Sequence, residues 1–291
     1  MKTVVLHKRP RKKKSRLLKG VMVVVIASGL STLAIYASDS MRVPGSSFLA
    51  GVGGSGPAAH CPPDMAYVPA SGGGFCIDLY EASPGKGCTN AYPRNQFETE
   101  SNLTNPLCMP VSIPEMKPWV NVPEHDALAL CAKAGKRLPS NSEWYRAALG
   151  TPDDVRGMES TCALDHVGQT ESDKTGMHQG CVSSYGVFDM VGNVWEWVDG
   201  STADGTYGGR SLPGEGFITE VDADGVPTEV GTSSPSFGND YFYTDAAGVK
   251  GMFRGGFWSM GDKAGLYGMN TSIPTTFVGN AVGFRCAVEA K

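Results

Sequence analysis

Residues 192–197 read Gly-Asn-Val-Trp-Glu-Trp, residues 253–258 read Phe-Arg-Gly-Gly-Phe-Trp, and residues 283–287 read Gly-Phe-Arg-Cys-Ala. Each stretch sets a charged side chain among glycines and aromatic rings. A guanidinium group can stack on a ring or pair with a carboxylate, so we expect Arg254 and Arg285 to hold loops together inside the fold. The 38 glycines and 19 prolines of the chain also favour a fold that is rich in turns and irregular backbone.

Two helices are predicted between the first strands and these motifs. Apolar residues recur at helical spacing over residues 124–134, and Gly135 ends the run as a C-cap. A second helix is predicted over residues 140–149, where Ser140 or Asn141 is a suitable N-cap. Both helices interrupt a chain that otherwise reads as short strands and loops.

The strand signals are short and separated by glycines. Residues 65–69 and 75–78 are β-like runs. The glycine-rich, polar stretch 199–245 shows little periodicity and is predicted to be a long loop, of the kind that is functional or held in place by a ligand or an ion. These patterns together predict an α+β fold with short strands and two main helices.

Two further segments complete an ordered set of motifs. Residues 118–122 read Pro-Trp-Val-Asn-Val, and residues 135–139 read Gly-Lys-Arg-Leu-Pro, followed by Glu143 and Trp144. In this order the motifs resemble the sulfatase-modifying-factor, or formylglycine-generating enzyme, domain over residues 61–289. The resemblance implies the irregular, loop-rich version of the C-type-lectin-like fold that this family uses.

The same resemblance implies a structural calcium site. Asp189, Gly192, Val194 and Glu196 match positions at which the family binds calcium through two side chains and two backbone carbonyls. Hard oxygen ligands that are closely spaced on one loop suit this ion. Asp189 stands where the family more often has asparagine, which adds negative charge. The alternative is a hydrogen-bonded turn that holds no ion.

The resemblance fails at the catalytic positions. In catalytic members, two cysteines that lie six and eleven residues after the arginine of the Arg-Gly-Gly motif bind the copper ion that activates oxygen; here these positions are Met260 and Gly265. A thioether cannot replace a thiolate nucleophile, and glycine has no side chain to bind a metal. We therefore predict no catalytic residues and do not expect copper, and Cys286 reads as structural.

Residues 257–281 lie between the last two motifs and mix aromatic, small hydroxyl-bearing and glycine residues. This layout is similar to the variable regions of diversity-generating retroelement target proteins, although Met260 and Lys263 do not fit their usual residue set. We predict a ligand-contact surface here, with its aromatic residues as anchors. Its residues are Phe257, Trp258, Ser259, Met260, Asp262, Tyr267, Asn270, Thr271, Ser272, Ile273, Phe277, Val278 and Asn280.

Three functions follow from these observations. The leading hypothesis is a displayed binding module for a protein or glycan ligand outside the cytoplasm. The second is an oxidase related to formylglycine generation that uses copper or another metal with other ligands. The third is an inert structural part of a cell-surface complex. Other enzyme classes find no support, because the histidines outside the amino-terminal segment are scattered and the chain has neither a Gly-x-Ser-x-Gly nor a His-Glu-x-x-His motif.

The amino-terminal segment predicts attachment to a membrane. Nine of the 25 basic residues lie in residues 1–19, and residues 20–38 carry no charge over a length that would span a bilayer core as a helix. The positive-inside rule then places residues 1–19 in the cytoplasm and the rest outside. Cleavage of residues 1–37 as a signal peptide, which would make the protein secreted, is the alternative. Residues 39–60 have the composition of a flexible linker, and residues 61–291 form the domain.

Charge and cysteine content set further limits on the region after residue 19. This region has 16 basic and 29 acidic residues, which gives a net charge of −13 and argues against nucleic-acid binding. All eight cysteines fall on the external side, where an oxidising environment favours up to four disulfides. Eight cysteines allow 105 pairings, so the sequence leaves the connectivity open.

Overall fold

The computed structural model describes residues 60–153, 161–165 and 168–291. The predictions for residues 1–19, for the apolar segment 20–38 and for nearly all of the linker lie outside these ranges. Within the described ranges, no helix combines the length and the hydropathy that crossing a bilayer requires.

The described ranges contain three α-helices and fourteen short strands. The helices are α1 (Gln96–Thr104), α2 (Glu124–Lys133) and α3 (Asn141–Ala148). The strands are β1 (Met65–Val68), β2 (Phe75–Asp78), β3 (Ser83–Pro84), β4 (Pro110–Val111), β5 (Trp195–Ala203), β6 (Thr206–Tyr207), β7 (Arg210–Ser211), β8 (Gly216–Val221), β9 (Pro227–Gly231), β10 (Tyr241–Thr244), β11 (Val249–Arg254), β12 (Met269–Thr271), β13 (Val282–Phe284) and β14 (Ala287–Glu289). The predicted α+β class, with much irregular backbone, is confirmed.

Helices α2 and α3 confirm the two predicted helices. In α3 the Ser140 hydroxyl accepts a hydrogen bond from the backbone N–H of Glu143, whose carboxylate accepts one from the backbone N–H of Ser140. This capping box fixes where the helix begins. Helix α1 was not predicted, because it is polar and buries only Thr99 and Asn102, so its sequence shows no apolar stripe.

The strands form one large mixed sheet and two small ones. In the described residues the large sheet has the order β7-β6-β5-β11-β12-β10-β8-β9, and β13 pairs with β5 in parallel. A second sheet has the order β1-β2-β14, and β3 pairs with β4. The prediction of a long loop over 199–245 is wrong, since this stretch supplies the end of β5 and all of β6 to β10. Its strands are short and its exposed faces polar, which hides the two-residue alternation from view.

All eight cysteines form disulfides, which fixes the pairing that the sequence left open. The bridges are Cys61–Cys76, Cys88–Cys108, Cys131–Cys286 and Cys162–Cys181. Four disulfides are typical of a domain that folds in an oxidising compartment. The bridge from α2 to Cys286 anchors the residue that follows Arg285 and so helps to place that side chain.

Candidate functional site

A buried ion pair lies at the centre of the domain, where the motifs on β5 and β13 meet. The Arg285 guanidinium donates to both oxygens of Glu196, with Nη2 2.6 Å from Oε1 and Nε 2.7 Å from Oε2. Trp144 on α3 adds a third donor, with its indole nitrogen 2.7 Å from Oε2 of Glu196. Arg285 also donates to the backbone oxygens of Asp78 and Phe188, at 3.0 and 2.9 Å. One side chain therefore links four parts of the chain.

Two more buried carboxylates lie close to this pair. Glu81 accepts hydrogen bonds from the Asn193 side-chain amide at 2.6 Å and from the Val194 backbone at 3.3 Å. Asp189 accepts one from the Gly176 backbone at 2.6 Å. Burial raises the pKa of Asp189 to about 6, and burial together with Asp189 and Glu196 raises the pKa of Glu81 well above its ordinary value. Three interior carboxylates thus share one guanidinium group.

The second motif arginine is buried in a different way. Arg254 lies over the rings of Trp144 and Tyr145, with its guanidinium carbon 5.2 and 5.9 Å from their centroids. It donates to the backbone oxygens of Gly225 at 3.0 Å and Leu266 at 3.2 Å. Its burial lowers the pKa of Arg254 to about 10. The prediction that both motif arginines stack or pair inside the fold is confirmed.

A cavity of about 380 Å³ opens beside β5, β10 and β12. Four of its lining residues belong to the predicted contact surface: Phe257, Ser259, Met260 and Asn270. The other lining residues are Trp195, Tyr243 and Lys263. Three aromatic rings therefore form its walls, and the volume falls in the range of small-molecule sites.

The model of the sulfatase-modifying factor enzyme 1-like domain matches residues 95–290. The chain belongs to this family. The match covers both central motif arginines and the cavity, and it confirms the resemblance to formylglycine-generating enzymes.

The similar proteins include one that is named as an enzyme and one that is named as an inactive form. The chain is 27% identical over 159 residues to the inactive C-alpha-formylglycine-generating enzyme 2 of Bos taurus. The aligned residues make up 45% of this chain and 50% of the relative. It is 37% identical over 97 residues to the formylglycine-generating enzyme of Thermomonospora curvata, covering 28% of this chain and 32% of the relative. The chain thus spans half or less of each of these relatives.

Solved structures give a more distant likeness. The Major Tropism Determinant P3c variant is 17% identical to the chain, with a TM-score of 0.44. The similar region covers 80% of this chain and 54% of that one.

The two positions that hold catalytic cysteines in the family differ in their surroundings. Met260 borders the cavity, where its side chain is half-buried. Gly265 is buried, and a Cβ atom on it would overlap the carboxylate oxygens of Asp240 and Asp153. Asp240 is itself fixed by the backbone N–H groups of Tyr267 and Gly268, at 2.6 and 3.1 Å.

Copper does not fit these residues. A thioether stands at residue 260, no side chain stands at residue 265, and the only nearby motif cysteine, Cys286, is bonded to Cys131. The space that a second thiolate would need is filled by Asp240 and Asp153. We therefore derive no copper-dependent step for this chain.

The calcium prediction stays a prediction. Asp189 and Asn193 both adopt a left-handed backbone, with φ of 57° and 54°, in the segment that carries the predicted ligands. Three buried carboxylates against one guanidinium leave an excess of negative charge that a cation would offset. Both oxygens of Glu196 already bind Arg285, however, and in the described residues no group of three acidic, histidine or cysteine side chains is arranged to hold a metal. An ion here would depend on Asp189 and on backbone carbonyls of Gly192 and Val194.

The remaining predicted contact residues fall into two groups. Asp262, Phe277 and Asn280 are exposed, and Ser272, Ile273 and Val278 are half-buried near them in the chain. Asn280 donates to the Thr170 backbone oxygen at 3.0 Å, and Ser272 donates to Asn270.

The other group offers no surface beside the cavity. Trp258 is only 4% exposed and packs against Val120 and Val194, so it supports the surface from within. Thr271 is buried against Thr244. Tyr267 packs against Tyr145 and Phe237 and does not line the cavity. The prediction of Trp258 as an anchor is therefore corrected, whereas Tyr267 is half-buried and stays a predicted contact residue that lies outside the cavity.

Three cavity residues were missed by the sequence reasoning. Trp195 was named only as part of the motif 192–197, Tyr243 fell in the predicted loop, and Lys263 was set aside because it does not fit the variable-region residue set. The alternation Tyr241-Phe242-Tyr243 could have identified a strand with both tyrosines on one face, because Phe242 is buried between them. No comparable signal pointed to Lys263.

Proposed function

We propose that the domain is a binding module that presents the cavity and the surrounding residues 257–280 to a protein or glycan ligand outside the cytoplasm. The observation that carries this proposal is the cavity itself. It lies where the predicted contact residues Phe257, Ser259, Met260 and Asn270 converge, while the copper-binding positions are lost. A concave site with aromatic walls and a few polar groups suits recognition rather than oxygen chemistry.

Two aromatic side chains of the predicted contact surface support the same proposal. Phe277 is 36% exposed and its ring lies 6.2 Å from that of Phe253, while Phe257 is half-buried and contacts Trp258 at 5.3 Å between centroids. Rings that are held from behind lose little conformational freedom on binding, so they contribute contact area at small entropic cost.

The location belongs to the same proposal. Four disulfides favour an oxidising compartment, and the basic residues 1–19 followed by the uncharged residues 20–38 favour a membrane anchor over a cleaved signal. The full chain is expected to remain with membranes after an alkaline wash, and a chain that lacks residues 1–38 is expected in the soluble fraction. Recovery of the full chain in the wash would reject the anchor.

A supporting calcium ion is also part of the proposal. It would neutralise the excess carboxylate charge at the turn of Asp189 and stabilise the strand that carries Trp195, without contact with the ligand.

The binding proposal is tested by selection. The full chain is presented to a random peptide library on phage and to an immobilised glycan panel, together with Phe257→Ala, Phe277→Ala and, as a matched control, Phe97→Ala. Phe97 is 78% exposed on α1 and contributes nothing to the cavity lining. We expect enriched ligands that Phe97→Ala retains and that the other two variants lose by about tenfold or more.

The proposal is rejected by either of two results. The first is no enrichment over an albumin control from either collection. The second is a set of ligands that all three variants hold equally. A further measurement addresses the oxidase alternative: stoichiometric copper in the purified chain, with oxygen consumed on a cysteine-containing peptide, would replace the binding function with a catalytic one.

A further inference from the structure

We infer that the cavity receives a carboxylate group of a protein ligand, together with an adjacent apolar or aromatic side chain, and that Lys263 is the cationic partner of this carboxylate. The inference rests on the proposed function, because it names the ligand chemistry of the same site. It is carried by the cavity lining, which has one cationic and no acidic side chain, and by the environment of Lys263.

The polar side chains that line the cavity can all donate hydrogen bonds, although the two hydroxyls can also accept them. They are the Lys263 ammonium, the Asn270 amide, and the hydroxyls of Ser259 and Tyr243, and no lining residue is acidic. The Asn270 Oδ1 atom accepts hydrogen bonds from the Ser272 backbone at 2.9 Å and from its hydroxyl at 2.8 Å. This arrangement occupies the oxygen of the amide and leaves its NH₂ group as the part that can serve a ligand.

Lys263 differs from the other lysines whose contacts are described. Lys117, Lys136 and Lys250 each pair with a carboxylate, at distances between 2.5 and 3.1 Å, and Lys133 donates to backbone oxygens at the end of α1. Lys263 has no carboxylate within 4.0 Å among the described residues; its Nζ atom instead lies 4.7 Å from the centroid of the Tyr241 ring. A half-buried ammonium with only a ring as partner, in a region with net charge −13, leaves a carboxylate position to be filled from outside.

The walls favour a peptide over a sugar. Trp195 and Tyr243 meet edge to face at 6.4 Å, and Phe257 faces the same space. Rings on three sides suit an apolar side chain next to the bound carboxylate. A sugar hydroxyl could pair with the Ser259 and Tyr243 hydroxyls, but the lining has no carboxylate and the oxygen of Asn270 is already occupied. The Lys263 ammonium would form a stronger, charge-assisted hydrogen bond with a ligand carboxylate than with a neutral hydroxyl.

The inference is tested with the full chain and three fluorescein-labelled probes. These are Gly-Gly-Phe with a free carboxyl terminus, the same tripeptide with a carboxyl-terminal amide, and glucuronic acid. Binding is measured by fluorescence anisotropy for the wild type, for Lys263→Met and for Lys250→Met. Lys250 pairs with Asp245 outside the cavity, so Lys250→Met controls for the loss of one positive charge.

The wild type and Lys250→Met are expected to bind the free-carboxylate tripeptide about tenfold more tightly than the amide, and Lys263→Met is expected to lose this preference. Near-ultraviolet circular dichroism establishes that each variant is folded. Equal affinity for acid and amide, no binding of either, or a preference that survives in Lys263→Met overturns the inference. Tighter binding of glucuronic acid than of the tripeptide overturns the choice of a protein ligand.

These failures are distinct from failure of the proposed function. If the library yields ligands that depend on Phe257 and Phe277 but that Lys263→Met binds unchanged, the binding module remains and the carboxylate inference falls. If the library yields none, the module itself is rejected.

Discussion

The interior around Arg285 and the cavity around Lys263 are both built from aromatic rings and one cationic side chain, yet they use the cation in opposite ways. Arg285 makes four hydrogen bonds with Glu196, Asp78 and Phe188. Lys263 faces a ring and a space of about 380 Å³. The motif residue stabilises the scaffold, whereas we propose that the residue between the motifs pairs with a ligand. On this proposal, the family motifs and ligand recognition depend on different residues of one domain.

The largest expected effect comes from breaking the interior pair. Arg285→Met should lower the free energy of unfolding by about 3–5 kcal/mol, because it leaves the Glu196 carboxylate buried without its partner. Lys263→Met should change it by about 0.5 kcal/mol or less, as is usual away from a buried network. Urea unfolding of both variants measures the difference. Equal destabilisation would erase the distinction between the two cations.

Glu124 is a buried acid without an arginine partner, and it can be compared with Glu196, which pairs with Arg285. Burial, with a smaller contribution from Asp199, raises the pKa of Glu124 from its ordinary value of 4.5 to about 7. Between pH 4.5 and about 7, the Glu124 carboxyl therefore keeps its proton in the folded state and has lost it in the unfolded state. The stability that this carboxyl contributes is full below pH 4.5 and is lost as the pH rises to about 7.

Glu124→Gln removes this titration. The variant should match the wild type at pH 4.5 and exceed its free energy of unfolding at pH 8, with the crossover between these values. Urea midpoints at pH 4.5, 6 and 8 supply the measurement. A constant difference between the two proteins across this range would show that Glu124 is not the group responsible.

The addition of calcium tests whether the buried carboxylates around Arg285 also bind an ion. If the turn at Asp189 binds calcium, a hundredfold excess over the dissociation constant should add about 2.7 kcal/mol to the free energy of unfolding. Thermal unfolding in calcium and in a chelator measures this, and Asp189→Ala should abolish the effect. Identical melting curves in both buffers would leave a hydrogen-bonded turn as the explanation of the motif.

The smallest expected effect compares residues 260 and 265, the two positions that hold cysteines in catalytic members of the family. Gly265→Ala should cost about 1–3 kcal/mol, because the added methyl group overlaps Asp240 and Asp153 in the interior. Met260→Leu, at the cavity edge, should cost less than about 1.5 kcal/mol. If both variants lose the same free energy of unfolding in chemical denaturation, then the interior has room for a side chain at residue 265.

The sequence predicted what depends on local chemistry or on ordered motifs. The capping residues Ser140 and Glu143 define α3, and the order of the motifs defines the family. The pairing of eight cysteines is a property of tertiary distance, so spacing alone could not choose among the alternatives. Helix α1 and strands β8 and β9 were missed because polar residues on their exposed faces conceal the periodicity.

The candidate site was predicted in part. The sequence identified the segment 257–280, but it did not show which of its side chains line the cavity and which are buried in the core. Phe257 and Trp258 are adjacent and their rings contact each other, yet only Phe257 lines the cavity, and Trp258 is buried against Val120 and Val194. A composition argument counts both equally. Trp195 and Tyr243 reach the cavity from β5 and β10, which are distant in the chain, and only the sheet order brings them beside residues 257–270.

The carboxylates packed against Gly265 also limit which substitutions the chain can accept. A cysteine at residue 265 would first require a smaller side chain at residue 240 or 153, and that change would leave the backbone N–H groups now bonded to it unsatisfied. Sequences with only one of the two changes would therefore fold less well than the present one. A thiolate at this position is thus difficult to reach through single mutational steps.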